Sequence, residues 1–384
     1  MDALIIYVSI GSGHRRAAEV LAETFTRQLG WRCHTVDLLS TLWPGLPSLA
    51  NNLSAWLLKI AASFYDQYWA DDEALRALDR LLTFTDMVGL MRDLVAENEP
   101  ALCVCTHALP ARILSLVWQK DGRVLPTLNV ATDFMVNGLW PVEQIAGFVV
   151  ASEASRRRLL ARGLCNSQIY PLGIPVAARF STPAASRARV RRKLGLADKP
   201  TLLVIVGSLR AEPYEQIARS VRQLWHYWIS ARSAAPDCQM VVVAGQNRSS
   251  LTNLRSLAAQ LPFPVTLLPF VNHIEEWMAA SDLLLTKPGG LTAAEALSQS
   301  LPLLLVGIGP GQEQANADLL VAEGCAEVGA GETGALAGQI ASLLADEERR
   351  KAMRYACWAL ARPQAAQEIA CLAQSILHRE VVHE

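Results

Sequence analysis

The sequence predicts an α/β protein made of two doubly wound parallel sheets, and three observations lead to this fold class. Apolar runs of strand length alternate with helical patterns, as in parallel sheets covered by helices. A strand that ends in a glycine turn opens the chain at 4–10, and this design returns at 202–206. The 384 residues, 51% of them hydrophobic, suffice for two buried cores.

The boundary between the two domains is expected near residue 175. Residues 169–180 start as a strand and then lose periodicity, and a linker leads into the basic run 187–193, which we interpret as the first helix of a second domain. We therefore place Rossmann-like domains at 1–175 and 176–355. Residues 356–384 are expected to form a C-terminal helix that packs back on the first domain.

Composition argues against several partners. The formal charge is −1 and the pI about 6.7, so the chain lacks the basic field that recruits nucleic acid, although a small phosphate-bearing ligand is compatible with it. The eight cysteines show no CxxC or CxxH spacing, and Cys103 and Cys105 lie two apart in an apolar run. We expect them to be buried thiols in a reducing cytoplasm.

The N-terminus leads directly into a strand, with neither the basic n-region nor the cleavage site of a signal peptide, so we expect no signal peptide. No apolar run has the length of a bilayer-spanning helix. We therefore expect a cytoplasmic chain whose contact with a membrane is peripheral, at the inner face.

The first strand, 4–10, ends in the glycine turn GSGH at 11–14, and apolar residues follow at helical spacing. An acidic residue, Asp37, comes about twenty positions after the turn, as in dinucleotide-binding folds. Arg16 replaces the third glycine of that fingerprint, which disfavours a dinucleotide. Further strands are predicted at 33–36, 101–106, 127–132 and 147–151, with helices near 109–120 and 152–163.

The segment 42–70 is dense in aromatic residues, with three tryptophans, one phenylalanine, two tyrosines and only two charged residues. One interpretation is an inserted helix packed on the core, where aromatic stripes usually lie. The other is an interfacial segment that meets lipid, because Trp and Tyr are favoured at the membrane–water boundary. In that second interpretation Trp56, Phe64 and Trp69 would contact the bilayer.

In the second domain, strands are predicted at 202–206, 240–245 and 265–270 before the most informative stretch, 281–320. Its first strand leads into Lys287-Pro-Gly-Gly290, a turn that lets the backbone approach a ligand closely. A helix beginning at Thr292 would point its positive end at the glycines, where an anion such as a pyrophosphate would be held.

The strand at 301–306 is followed by a second glycine loop, GIGPG at 307–311, and then by Gln312 and Glu313 at the start of a helix. Two glycine-lined turns are thus expected at the carboxyl edge of one parallel sheet. Open α/β sheets bind their ligands at this edge.

The TKPGG-LT-xxEAL segment, LPLLL and GPGQE together resemble the donor-site signature of inverting glycosyltransferases that include plant monogalactosyldiacylglycerol synthases and bacterial diacylglycerol glucosyltransferases. They are more distantly similar to the N-acetylglucosaminyl transferase that makes lipid II. The resemblance runs from Gly11 to about Leu320. It implies the GT-B architecture, with two facing domains and an interdomain cleft, and a hexosyltransferase of glycolipid biosynthesis that moves glucose or galactose from a UDP-sugar to a lipid acceptor, diacylglycerol, with inversion.

On the acceptor side, His14 is the leading candidate for the base, because the positive end of a helix disfavours the imidazolium. The preceding turn, Gly11, Ser12 and Gly13, resembles the acceptor side of the family. Asp133 would position or deprotonate the acceptor hydroxyl, or alternatively cap a helix.

Relatives often carry a histidine a few residues after the Thr-Asp pair at 132–133 and a tryptophan beyond it. Trp140 matches the tryptophan, whereas Asn137 replaces the histidine. This departure concerns the identity of the acceptor more than the type of reaction.

On the donor side, two residues have competing interpretations. Glu295 either completes a capping box with Thr292 or, as the resemblance implies, holds the ribose hydroxyls of the nucleotide. Lys287 either neutralises leaving-group charge or is solvated. The resemblance places the donor sugar against Gln312 and Glu313. The residues we assign to donor binding are Gly207, Ser208, Phe270, Val271, Lys287, Gly289, Gly290, Leu291, Thr292, Glu295, Gly311, Gln312 and Glu313.

Neither a DxD motif nor a Walker A sequence occurs. We expect the helix end at Gly289–Gly290 to stabilise the departing diphosphate in place of a metal, so that neither a metal nor a cofactor is required besides the UDP-sugar. Two alternatives remain: a UDP-sugar epimerase or hydrolase of the same architecture, and a non-catalytic protein that binds a nucleotide or a lipid.

Overall fold

The computed structural model describes residues 1–9, 13–42, 72–122, 125–181, 186–205, 212–231, 235–245 and 254–381. The chain divides into two compact units. The first comprises Met1–Ala177, Pro310–Gln312 and Gln364–Glu384, and the second comprises Ala178–Gly309 and Glu313–Pro363.

In the first unit, strands and helices alternate along the chain. The strands are β1 Asp2–Tyr7, β2 Arg32–Asp37, β3 Leu102–Cys105, β4 Thr127–Val130, β5 Gly147–Val149 and β6 Ile169–Tyr170. The helices are α1 Gly13–Leu29, α2 Leu38–Leu42, α3 Asp72–Phe84, α4 Met87–Asn98, α5 Ala108–Asp121 and α6 Glu153–Ala161, with α14 Ala365–Val381 at the end of the chain.

The sheet of the first unit is parallel throughout, in the order β2-β1-β3-β4-β5-β6. Alternate residues of β1 enter different cores: Leu4 and Ile6 face one cluster, and Ala3 and Ile5 face the other. Both faces are therefore covered, as in a doubly wound sheet. The strand order reverses between β1 and β3, and this switch point is where ligands bind in such sheets.

Helix α14 belongs to the first unit, where it packs with α1. Its apolar face contributes Ile369, Ala370 and Ala373 to the cluster that also holds Phe25 and Trp31. The Gln28 side chain adds a polar contact, 3.3 Å from Nε2 to the sulfur of Cys371. The end of the chain thereby completes one face of the sheet.

In the second unit, the strands are β7 Thr201–Ile205, β8 Gln239–Val243, β9 Val265–Leu268, β10 Leu283–Thr286, β11 Leu303–Leu305 and β12 Ala326–Val328. The helices are α7 Arg187–Lys193, α8 Glu212–Ser230, α9 Ile274–Ala280, α10 Gly290–Ser298, α11 Gln312–Ala322, α12 Thr333–Ala345 and α13 Glu347–Leu360.

The sheet of the second unit is again parallel, in the order β12-β11-β10-β7-β8-β9. Its order reverses between β7 and β10. Because of this reversal, the turn after β10 lies at a switch point, the position that favours a ligand site.

Trp225 and Trp228 of α8 are fully buried against this sheet.

Some boundaries differ from those the sequence predicts. β1 ends at Tyr7, and Val8 and Ser9 lie beyond it, whereas the apolar pattern predicted a strand as far as Ile10. An apolar run indicates buried residues, and Val8 is buried although it lies beyond the last residue of the strand. Cys103 and Cys105 are buried and free, as expected. Within the described ranges, every helix is too short or too polar to cross a membrane.

Candidate functional site

Several predicted site residues lie outside the described residues. They are Gly11, Ser12, Gly207, Ser208, Trp56, Phe64 and Trp69. The other predicted residues fall into two groups, one beyond the ends of β1 and β4 and the other beyond the ends of β9, β10 and β11.

His14 is the second residue of α1, just beyond β1 and next to the end of β3. Its Nδ1 lies 2.9 Å from the carbonyl oxygen of Thr106 and 2.7 Å from Oγ1 of Thr132. The Thr106 hydroxyl in turn donates to the His14 carbonyl at 3.0 Å. The ends of β1, β3 and β4 therefore converge on one imidazole ring.

These contacts select a tautomer. A carbonyl oxygen only accepts hydrogen bonds, so the short contact to Thr106 assigns the ring proton of His14 to Nδ1. The Nε2 lone pair then points away from this contact. A neutral imidazole with its basic nitrogen so oriented can take a proton from a hydroxyl.

A second histidine, which the sequence reasoning missed, packs against the first. His107 meets the ring of His14 edge to face, with the ring centroids 4.6 Å apart. Its Nδ1 accepts a hydrogen bond of 3.0 Å from the backbone N–H of Leu109 and so caps α5. The proton of a neutral His107 is therefore on Nε2. Its signal in the sequence is its place directly after a strand that neighbours β1.

Burial lowers the pKa of His14 below its ordinary 6.5, while the negative charge of Asp133 and the Thr106 carbonyl partly raise it. The pKa of His107 is held well below 6.5 by burial and by the nearby His14. Both rings are thus neutral at pH 7. The sequence predicted a neutral His14 from the helix end, but burial is the first cause in the structure.

Asp133 is half-buried at the bend after β4, close enough for its charge to act on His14. No helix begins after it, since the next helix, Glu153–Ala161, is capped by Ser152. The capping interpretation of Asp133 is therefore wrong. Asn137 is buried, and its Oδ1 accepts from the N–H of Leu139 at 3.1 Å, so it shapes this loop. Trp140 is a core residue packed on Phe148.

In the second unit, α10 begins at Gly290 with Gly289 as its N-cap, two residues earlier than predicted. Gly289 provides no side-chain cap, and a Cβ at this position would meet no atom within 4 Å. The first N–H groups of a helix have no intrahelical acceptor, and no side chain of Gly289 occupies this end. This is the geometry of an anion-binding helix end.

The start of α10 at Gly290 excludes one of the two interpretations of Glu295. A capping box requires the helix to begin after Thr292, but Thr292 is already the third helical residue. Glu295 therefore lies in the second turn, and the capping-box interpretation is wrong. Glu295 is 8% exposed, as is Leu291, while Thr292 is half-buried.

Lys287 and Glu313 form an ion pair, with Nζ 2.6 Å from Oε1. Their side chains are 21% and 23% exposed, so the interpretation of Lys287 as a solvated residue is wrong. The other oxygen, Oε2, accepts the N–H of Gly309 at 3.0 Å. Glu313 thus joins the two glycine loops, and any sugar hydroxyl would have to share this carboxylate.

The loop before α11 depends on glycine, because Gly307 and Gly311 have φ values of +63° and +76°. Gln312 is the first residue of α11. After β9, Phe270 is 48% exposed and Val271 is half-buried.

Asn316 is a further residue that the sequence did not reveal. It is fully buried on α11, and its Nδ2 donates to the Pro288 carbonyl at 3.1 Å. This bond fixes the turn that precedes α10 from the neighbouring helix. Nothing local marks Asn316, since its partner is 28 residues away.

The described ranges contain no group of three or more His, Cys, Asp or Glu side chains placed to hold a metal ion.

Comparisons with known proteins cover both units. Residues 14–176 match the family model of monogalactosyldiacylglycerol (MGDG) synthase, and residues 201–369 match the glycosyltransferase family 28 C-terminal domain. The chain is 27% identical over 356 residues to a processive diacylglycerol beta-glucosyltransferase of Bacillus licheniformis, with 92% of this chain and 89% of the relative covered.

Among solved structures, MurG of Acinetobacter baumannii is similar, with a TM-score of 0.64 and 17% identity over 97% of this chain and 99% of MurG. The UDP-GlcNAc 2-epimerase of Neisseria meningitidis has a TM-score of 0.61 and 13% identity over 98% and 100% of the two chains. These likenesses concern the fold, and the predicted GT-B class is confirmed. With both halves matched to glycosyltransferase models, the chain belongs to the GT-B glycosyltransferase family of monogalactosyldiacylglycerol synthases and processive diacylglycerol glucosyltransferases.

Proposed function

We propose that this chain transfers a hexose, glucose or galactose, from a UDP-sugar to the hydroxyl of diacylglycerol, with inversion at the anomeric carbon. The observation that carries the proposal is the orientation of His14, whose Nδ1 is held by the Thr106 carbonyl so that Nε2 serves as base. A processive diacylglycerol beta-glucosyltransferase is similar over 92% of this chain, which supports this choice of acceptor.

In the proposed reaction the acceptor oxygen attacks the anomeric carbon as the bond from that carbon to the diphosphate breaks. His14 Nε2 takes the hydroxyl proton, and the negative charge of Asp133 favours the resulting imidazolium. Negative charge collects on the departing UDP. The N-terminus of α10 would stabilise that charge with N–H groups already in place.

In the second unit, Glu295 would accept the ribose hydroxyls, and Phe270 and Val271 would border the base. Gln312, the first residue of α11, would contact the sugar. Because Lys287 is paired with Glu313, its main effect would be to hold the two glycine loops together. Gly207 and Ser208 complete the proposed donor set on the basis of the sequence.

The fold alone does not separate transfer from epimerisation, since an epimerase shares it. Release of UDP from UDP-glucose and UDP-galactose, measured with and without diacylglycerol in detergent micelles, separates the candidates. Release that requires diacylglycerol supports transfer. Turnover without acceptor indicates an epimerase or hydrolase, and bound UDP without turnover indicates a binding protein.

Metal independence is part of the proposal, because a helix end and not a cation is assigned to the leaving group. Activity in excess EDTA should stay within about twofold of the untreated enzyme, since the N–H groups of α10 remain in place. Loss of activity that manganese or magnesium restores would contradict this mechanism.

We also propose that residues 42–70 dock on the cytoplasmic face of a membrane and admit the lipid, a proposal that rests on composition alone. Replacing Trp56, Phe64 and Trp69 together by serine should reduce co-sedimentation with liposomes and lipid glycosylation while UDP affinity stays unchanged. Unfolding of this variant would show that the segment is core. Normal liposome binding by a folded variant would place lipid entry elsewhere.

A further inference from the structure

Four arginines surround one buried carboxylate in the second unit. Arg187 and Arg191 lie on α7, Arg350 and Arg354 lie on α13, and Asp282 immediately precedes β10. We call these four arginines the arginine cluster. Because Asp282 precedes its strand, the cluster lies at the amino-terminal edge of the sheet, opposite to the edge that carries the glycine turns.

Asp282 is shared among three of the four guanidinium groups. Its Oδ2 binds Nη2 of Arg191 and also accepts the backbone N–H of Thr201 at 2.8 Å. Its Oδ1 lies 3.6 Å from Nη1 of Arg187 and 3.9 Å from Nη1 of Arg354, both longer than a normal hydrogen bond. One negative charge therefore serves three positive ones, and only Arg191 is well paired.

The remaining arginine nitrogens have unmet hydrogen-bonding capacity. Nε of Arg187, Nη1 of Arg354 and Nε of Arg350 are buried without an acceptor among the described residues. Arg350 is 6% exposed, and its Nη1 donates to the carbonyls of Leu343 and Leu344 at the end of α12.

The second acid at the cluster, Asp198, lies 3.0 Å from Arg191 but is 72% exposed. The charged groups acting on Arg187 are Asp282 and the three other arginines, and burial is the first cause that lowers its pKa. The cluster thus carries more positive charge than the acids beside it balance.

A guanidinium keeps its proton inside proteins, so arginine cannot relieve such an excess by titrating. Burying an unpaired charge is costly unless a counter-charge with matching acceptors is present. The fork of N–H donors on arginine matches the oxygens of phosphate in two-pronged contacts. The side chains of Arg187 and Arg354 are 29% and 19% exposed, so both lie partly at the protein surface.

We propose that the arginine cluster binds a doubly charged phosphate group, bridged by Arg187 and Arg354. The chemistry is that of a phosphate dianion, supplied either by free phosphate or by a lipid headgroup that ends in a phosphomonoester. The bound anion joins α7 to α13 and stabilises the second unit. This site is separate from the proposed sugar transfer and does not depend on it.

The test compares thermal unfolding in sodium phosphate with that in sodium chloride at equal pH and ionic strength. Phosphate at about five times its Kd multiplies the folded population about sixfold, which should raise Tm by about 2–4 °C for a unit of this size. Arg187→Gln and Arg354→Gln should lose this rise. Arg189→Gln and Arg192→Gln, which remove the same charge from exposed positions on α7, should keep it.

A parallel arm measures co-sedimentation with phosphatidylcholine vesicles that contain or lack a phosphomonoester lipid. A headgroup is identified as the ligand if the chain binds vesicles with the phosphomonoester lipid, if Arg187→Gln and Arg354→Gln lose this binding, and if free phosphate does not raise the Tm. If both variants keep the rise in Tm that phosphate causes, the anion binds elsewhere and the proposal is overturned. The proposal is also overturned if neither phosphate nor the vesicles have any effect on the wild-type chain. If the variants fail to fold, calorimetric titration of phosphate into the wild-type chain decides, and absence of binding overturns the proposal.

Discussion

The candidate sites of the two units occupy equivalent places, each at the switch point of a parallel sheet, but they are built from different groups. The first is made of side chains: His14 is held by Thr106 and Thr132 and packed against His107. The second is mostly backbone, the N-terminus of α10 beside two glycine loops.

The difference follows from the chemistry proposed for each site. Proton transfer needs one titratable group with a controlled pKa and tautomer, and only neighbouring side chains and carbonyls supply that control. Holding a diphosphate needs several N–H donors, which a helix terminus provides without any side chain. Variants should therefore affect the first site through catalysis and the second through affinity.

The largest effect is expected for His14→Ala. Removing a general base should lower kcat by about 10²–10⁴-fold, while UDP affinity stays unchanged because the donor is assigned to the other unit. Steady-state kinetics and calorimetry with UDP measure the two quantities. His378→Ala, at an exposed position of the C-terminal helix, is the matched control and should behave as wild type. A His14→Ala enzyme with normal kcat would remove His14 from the base role.

Glu295→Gln should have the next largest effect, on affinity. If the carboxylate holds the ribose, its loss should weaken UDP binding by about 1–3 kcal/mol, roughly a 5- to 150-fold rise in Kd. The exposed Glu323→Gln in the same unit is the control. Calorimetry that gives the wild-type Kd for Glu295→Gln, with the fold intact by circular dichroism, would exclude the ribose role.

The smallest effect concerns the pH profile of the first site. Because burial lowers the pKa of His14 below 6.5, kcat/KM should fall only as the pH drops through that lowered value. Asn at 107 can still cap α5 but removes the ring that shields His14, so His107→Asn should move the acid limb upward.

Asp133→Asn provides the opposite case, because the Asp133 charge raises the pKa of His14. Its acid limb should move to lower pH. Profiles that shift in the same direction in both variants would show that another group controls the rate at low pH.

Prediction from sequence succeeded where the signal is local. The glycine turns at 287–290 and 307–311, the alternation of strands and helices and the carboxyl-edge placement of these two turns all follow from contiguous residues, and the described part of the chain contains each of them. The start of α10 was misplaced because Thr292-x-x-Glu295 imitates a capping box inside a helix that Gly289 already caps.

The sequence failed where a contact joins distant segments. His14 and Thr106 are 92 positions apart, and the hydrogen bond from Asn316 to Pro288 spans 28. Such contacts depend on the order of strands in the sheet, which a single sequence does not state. Thr106 and His107 come directly after the end of β3. A comparison of the polar residues at the ends of neighbouring strands would therefore have identified them as candidate site residues.

The most direct test of the proposed transfer is mass spectrometry of lipids from cells that express the wild-type chain or His14→Ala at equal levels. The proposal predicts diacylglycerol carrying one or more hexoses in the wild-type cells and near-background amounts with His14→Ala. Absence of such glycolipids from wild-type cells, or equal amounts in both, would contradict it.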